Sequence, residues 1–150
     1  MMIVGIDPGL SGALAFFDTS TNKIHTYDTP VMDKAVNAAE VANLLNNYGP
    51  DAAIIEVVHA MPSQGVSSMF RFGQAYGTVL GALAACRIPT HYVASTRWKK
   101  HFHLTTDKEK SRAVAISLWP DCREFNRKKD HGRAEAALLS LYALETIYNK

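Results

Sequence analysis

An aspartate closes the first apolar run of this chain, Ile3-Val4-Gly5-Ile6-Asp7, and the turn-forming segment Pro8-Gly9-Leu10-Ser11-Gly12 follows at once. A run of this kind buries itself as a strand. Its last side chain is therefore delivered, on rigid backbone, to the rim of a sheet. Pro8 and Gly9 turn the chain, and Ala13-Leu14-Ala15-Phe16-Phe17 returns as a second apolar run. A carboxylate so placed costs free energy unless it is paired or holds a cation. What Asp7 is for constrains everything that follows.

The pattern continues as an α/β chain. Residues 2–7, 12–18 and 22–27 read as three strands joined by short turns, hence an antiparallel meander. Residues 36–47 follow helical spacing and end at Gly49-Pro50; residues 52–58 form a fourth strand, apolar until Glu56. After a helical crossover that strand should lie parallel in the sheet. A polar loop at 59–67 precedes a long helix, 67–86, in which Gly73, Gly77 and Gly81 share one face. Packing on the sheet is the expected use of that face, and a subunit interface is the alternative. A short fifth strand at 90–93, helices at 95–101, 108–118 and 132–148, and a basic linker at 121–131 complete the chain. The expected architecture is a five-stranded mixed sheet flanked by helices.

With 150 residues, 47% hydrophobic and 20% charged, the chain is expected to form one soluble domain with a real core. No apolar stretch approaches membrane-spanning length, and the start of the chain does not resemble a signal peptide. Cys86 and Cys122 lie in no metal or redox spacing and read as free thiols of a reducing compartment. The net charge of +2 hides an asymmetry: twelve of the 16 Lys and Arg residues fall in 93–150, against seven acids. Arg97, Lys99 and Lys100 form one cluster, and Arg123, Arg127, Lys128, Lys129 and Arg133 another. They suggest a polyanionic partner, with a solvated basic surface as the alternative.

Asp7 has candidate companions. If strands one and four are neighbours, Asp7 and Glu56 share a rim, and their repulsion would be relieved by a shared divalent cation. Glu135 interrupts an apolar stretch at the start of the last helix, and His131, four residues earlier, faces the same way. Asp130 suits the helix N-cap. A strand-end acid, or an acid in the first turn of a helix, has structural uses too. Three such acids, each on a regular element beside a turn, favour a common site.

These residues resemble RuvC-type Holliday-junction resolvases of the ribonuclease H-like superfamily, such as a phage or compact bacterial member. Ile3–Gly12 resembles the family's first strand with its acid, and Glu56 its second acidic site. Phe72-Gly73-Gln74-Ala75-Tyr76-Gly77 resembles the helix that follows. Val93–Lys100 and Lys108–Arg112 resemble segments that offer lysines to the scissile region, and Ala134-Glu135-Ala136 resembles the third acidic site. The match spans nearly the whole chain in order. Two departures stand out: Glu135 replaces an aspartate, and Gly132 occupies the place of the fourth ligand. His131 ranks above Asp130 as its substitute.

The resemblance implies a single nuclease domain over 1–150 with a ribonuclease H-like sheet, hydrolysing DNA with two Mg²⁺, for which Mn²⁺ could substitute. One ion would activate water and the other stabilise the leaving 3′-oxygen. Asp7 would bridge the ions, Glu56 would hold one, and Glu135 with His131 the other. Lys99 and Lys110 would contact phosphates beside the cut. Arg71, Arg97, Lys100, Arg127, Lys128, Lys129 and Arg133 would bind backbone. His59 sits where a stacking aromatic is common in the family; Met69 and Phe70 are alternative wedges, with core packing their expected role. The implied partners are a four-way DNA junction and a second copy of the chain, with no membrane or nucleotide cofactor, in the cytoplasm of a bacterium or phage-infected host. Competing readings are a fork, flap or RNA·DNA-hybrid nuclease, and a non-catalytic branched-DNA-binding protein. An ATPase of the actin and sugar-kinase fold would need a second domain and a second phosphate loop.

Overall fold

The first apolar run forms the middle of the sheet. In the computed structural model, which describes residues 1–150, β1 (Met2–Asp7) pairs antiparallel with β2 (Ala13–Asp18), and β2 with β3 (Lys23–Asp28). A small hairpin of β4 (Val31–Met32) and β5 (Ala35–Val36) leads into α1 (Ala38–Tyr48). The chain then crosses over to β6 (Ala52–Val57), parallel to β1. Helix α2 (Val66–Ala85) returns it to β7 (Thr90–Ala94), parallel to β6. Helices α3 (Ser95–His101), α4 (Lys108–Leu118) and α5 (His131–Ala143) follow. The sheet order β3-β2-β1-β6-β7 is the expected meander followed by two parallel strands.

Alternation along the strands divides the core in two. Ile3 and Ile54 point to the face covered by α3, α4 and α5, where they join Trp98, Ala115, Ala136 and Leu139. Val4, Ile6, Ala53 and Ile55 point to the other face, against Val41 and Leu45 of α1 and Val79 and Leu83 of α2. Asp7 and Glu56 stand one residue beyond the paired Ile6 and Ile55. They therefore emerge on the α5 face of the sheet. Helix α5 lies unusually close there, because a Cβ on Gly5 would overlap the carbonyl oxygen of Ala136. Only glycine in β1 permits that approach.

Local capping sets the helix ends. Asn37 accepts from the Glu40 amide at the start of α1, and Gly49 ends it in the left-handed conformation. Asp107 accepts from the Glu109 amide at 3.0 Å and starts α4 at Lys108. The two cysteines are free thiols. No helix is long and apolar enough to cross a membrane.

Four features differ from expectation. The β4–β5 hairpin turns through Asp33 and Lys34, both at positive φ (53° and 63°), a geometry that Asn-Gly advertises and Asp-Lys does not. The glycines of α2 do not pack on the sheet: Gly73, Gly77 and Gly81 are exposed, and a Cβ on any of them would meet no atom within 4 Å. Phe70 is not a core residue but 67% exposed, since α2 turns it away from the face that carries Ala75 and Val79. The last helix is α-helical only to Ala143, after which Leu144–Tyr148 form a wider π turn.

Candidate active site

Three elements converge at the rim where β1 ends. β1 brings Asp7, β6 brings Glu56, and α5 brings Glu135 on the side that faces the sheet. Asp7, Glu135 and His131 line one cavity of about 450 Å³, together with the turn Pro8–Gly12, Ser68, Arg71, Phe72 and Lys108. Burial, reinforced by the charges of Glu135 and Glu56, pushes the Asp7 carboxyl well above the usual range. Lys108 and Lys99 pull it only part of the way back. Burial also raises Glu56, against a hydrogen bond from Trp98 and the charge of Lys99, with Glu135 adding to the rise.

The surrounding contacts fix these acids. The Trp98 indole N–H donates to Glu56 Oε2 at 2.7 Å. Ser111 Oγ lies 3.5 Å from Glu135 Oε1. Lys108 Nζ stands 3.4 Å from His131 Nε2. A Cβ on Gly132 would stand 3.2 Å from Asp7 Oδ2, so glycine at this position leaves the Asp7 carboxylate its space.

The acids fit a hard divalent cation by their chemistry: oxygen donors come from three elements to one rim, and the Asp7 carboxyl is buried there beside the charges of Glu135 and Glu56. No group of three or more His, Cys, Asp or Glu side chains stands close enough together to hold a metal ion by itself. Mg²⁺ does not need one, since it takes one or two carboxylates and completes its octahedron with water and substrate phosphate.

The other expected site residues fall into distinct places. Asp130 is buried and neither caps α5 nor faces the cavity. It accepts from the Arg127 amide at 2.8 Å and pairs with the guanidinium at 2.8 Å. Burial would raise its carboxyl, but these Arg127 bonds outweigh it and hold the group low. Arg127 is thus engaged in folding the 3₁₀ turn Lys128–Asp130. Arg133 is likewise paired with Asp28 at 2.8 Å. Lys128 and Lys129 are exposed. Arg71 borders the acidic cavity, whereas Lys99 and Lys100 line a neighbouring one with Ser95, Thr96, His103 and Thr105. Arg97 lies elsewhere, beside Tyr142 and Lys150. His59 is exposed in the loop before α2.

The lysine in the acidic cavity, beside Arg71, is Lys108; Lys110, exposed like Lys108, is not among the residues that line it. Helix phase carried the signal. Lys108, itself exposed, is three residues before buried Ser111 and seven before buried Ala115, on the same side of α4 as both. Trp98 was also missed as a partner of Glu56, because nothing local in sequence links residues 42 positions apart.

No protein-family model and no curated protein matches the chain. Solved structures do. Thermus thermophilus RuvC superposes with a TM-score of 0.70 at 18% identity, covering 97% of this chain and 96% of that one. T. thermophilus RuvC in complex with a Holliday junction substrate gives 0.69 at 20% identity, covering 97% of each. The yeast mitochondrial Holliday junction resolvase Ydc2 gives 0.53 at 12% identity, covering 92% of this chain and 75% of that one. At these identities the likeness is one of fold, and at that level the expected resemblance to RuvC-type resolvases is borne out.

Proposed function

We propose that this chain is a divalent-metal-dependent endonuclease that resolves four-way DNA junctions by symmetric nicking. The observation that carries the reading is the convergence of Asp7, Glu56 and Glu135 at one rim, with the Asp7 carboxyl raised by burial and by its two neighbours. Carboxylates held together against their own repulsion are what a cation site requires. The fold adds support, since one structure that shares it holds a Holliday junction.

In this reading Asp7 is the central ligand, with Glu56 and Glu135 on either side and His131 beside Glu135. Bound Mg²⁺, or Mn²⁺ in its place, would supply a nucleophilic water and stabilise the leaving oxygen. The chain's own groups do the rest. Lys108 and Arg71 face the cavity and offset phosphate charge. Lys99 serves both the acids and the adjoining Lys100 cavity. Lys128, Lys129 and Lys100 hold backbone without reading sequence. His59 and Phe70, both exposed, would meet the unpaired bases at the junction centre. Two symmetric cuts call for two sites, and a twofold homodimer through the open glycine face of α2 would provide them.

A Mg²⁺-dependent digest of a mobile four-way junction, beside fork, flap and RNA·DNA hybrid substrates, tests the proposal. Paired, symmetric, ligatable nicks in the junction are expected. Preference for the hybrid, or metal-independent cleavage, would overturn it.

A further inference from the structure

Trp98 is the largest side chain wholly removed from solvent, at 0% exposure, yet its one polar atom is not idle. The indole N–H reaches across from α3 and donates to Glu56 Oε2 at 2.7 Å. The ring is wholly buried in the core cluster that also holds Ile54, Val93 and the inward residues of α5, and close packing there leaves this donor little freedom to follow a carboxylate that moves. An indole N–H donates only. It therefore bonds the carboxylate oxygen as an acceptor and never competes with it for a proton. The chain's other tryptophan makes the contrast: Trp119 Nε1 is buried with no partner at all. Core packing alone does not supply an indole N–H with an acceptor here.

We propose that Trp98 is a positioning residue for Glu56, holding Oε2 so that Oε1 is the oxygen presented to a cation at the Asp7 rim. The role rests on the metal-site reading above. Glu56 needs such a hold because it is a long side chain at the end of a strand, only partly buried. Fixing one of its oxygens removes much of the rotamer freedom that cation binding would otherwise have to remove. The next residue on the same helix, Lys99, has its ammonium 5.5 Å over the Trp98 ring and acts on Asp7 and Glu56 alike. One turn of α3 thus carries both the clamp on an acid and a balancing charge.

Two measurements decide it. In a ¹⁵N-resolved spectrum the chain gives two indole signals. Glu56→Gln is expected to move the Trp98 signal and leave Trp119 in place, and Mn²⁺-free titration with Mg²⁺ to move the same one. Trp98→Phe keeps the buried ring and removes the donor. It is expected to weaken Mn²⁺ binding, measured by calorimetry without DNA, by about 10- to 100-fold. In a Glu56→Gln background the same substitution should add nothing. An unmoved Trp98 signal in Glu56→Gln, unchanged Mn²⁺ affinity in Trp98→Phe, or an equal loss in both backgrounds would overturn the clamp. If the wild-type chain binds neither ion, the metal-site reading fails instead, and the Glu56→Gln indole shift still decides whether the clamp exists.

Discussion

The acidic rim and the exposed face of α2 use glycine in opposite ways. At the rim, Gly5 and Gly132 sit where an added Cβ would strike the α5 backbone or crowd the Asp7 carboxylate. On α2, Gly73, Gly77 and Gly81 border open space. Val66 and Phe70, 87% and 67% exposed, continue that open surface towards the loop that carries His59. The candidate chemistry is thus built on backbone contacts within the chain. The α2 surface has no internal partner, and in the proposed function its contacts are with a second copy and with DNA.

The rim should therefore be fragile in function yet strained in stability. Asp7→Asn is expected to lower metal-dependent cleavage by about 10³-fold, a loss comparable to removing a key electrostatic group from an active site. The same change should make the metal-free protein more stable. Burial and two acidic neighbours raise the Asp7 pKa in the folded state. Between the unfolded value, about 4, and the raised one, the folded chain binds more protons than the unfolded chain. Metal-free stability should then fall as pH rises through that window, and Asp7→Asn should flatten the dependence. Thermal melts in chelator across pH check both; a melt lowered by the substitution would break the picture.

The next effect is on folding itself. Gly5→Ala forces a methyl into the Ala136 carbonyl, which is backbone and cannot swing aside. A loss of about 3 kcal/mol is expected, at the upper end of overpacking costs, with Glu135 displaced as α5 moves off the sheet. Denaturant unfolding measures the first, and loss of cleavage in the fraction still folded measures the second.

A third comparison separates two lysines of one helix. Lys108→Ala should lower cleavage by about 10²-fold, since Lys108 lines the acidic cavity and opposes the raised Asp7 pKa. Lys110→Ala, exposed and outside that cavity, should change it by no more than about twofold. Single-turnover rates on a junction decide between them, and equal losses would return the role to both.

These two lysines also mark how far the sequence could be read. The meander and the two parallel strands were legible because apolar runs, short turns and a crossover leave few sheets to build; Asp7 and Glu56 were legible as the polar ends of such runs, and Glu135 as an acid that interrupts an apolar helix. Lys108 needed the phase of α4, which the inward small residues Ser111 and Ala115 define but a resemblance by segment does not. Arg127 and Arg133 looked like free cations because their partners, Asp130 and Asp28, are chosen by tertiary contact. Phe70 looked like core because aromatic side chains usually are. The glycine stripe looked packed because glycine in a helix normally needs such a reason, and here the chain itself supplies none.

That missing reason gives the smallest expected effect and the one that most sharpens the contrast with the rim. Glycine in a helix interior is less favourable than alanine by about 0.5–1 kcal/mol. Gly77→Ala meets no atom within 4 Å, so within one chain it should stabilise by that amount. The same methyl that wrecks the sheet–helix contact at Gly5 should strengthen α2. A homodimer through this face would reverse the sign at working concentration, since a methyl at a close helix–helix contact loosens the pair. Unfolding measured at dilutions on either side of the dimer's dissociation, with sedimentation to count the chains, therefore reads both. A gain at low concentration that turns into a loss at high concentration places the second copy on the glycine face, and a gain at every concentration leaves that face free.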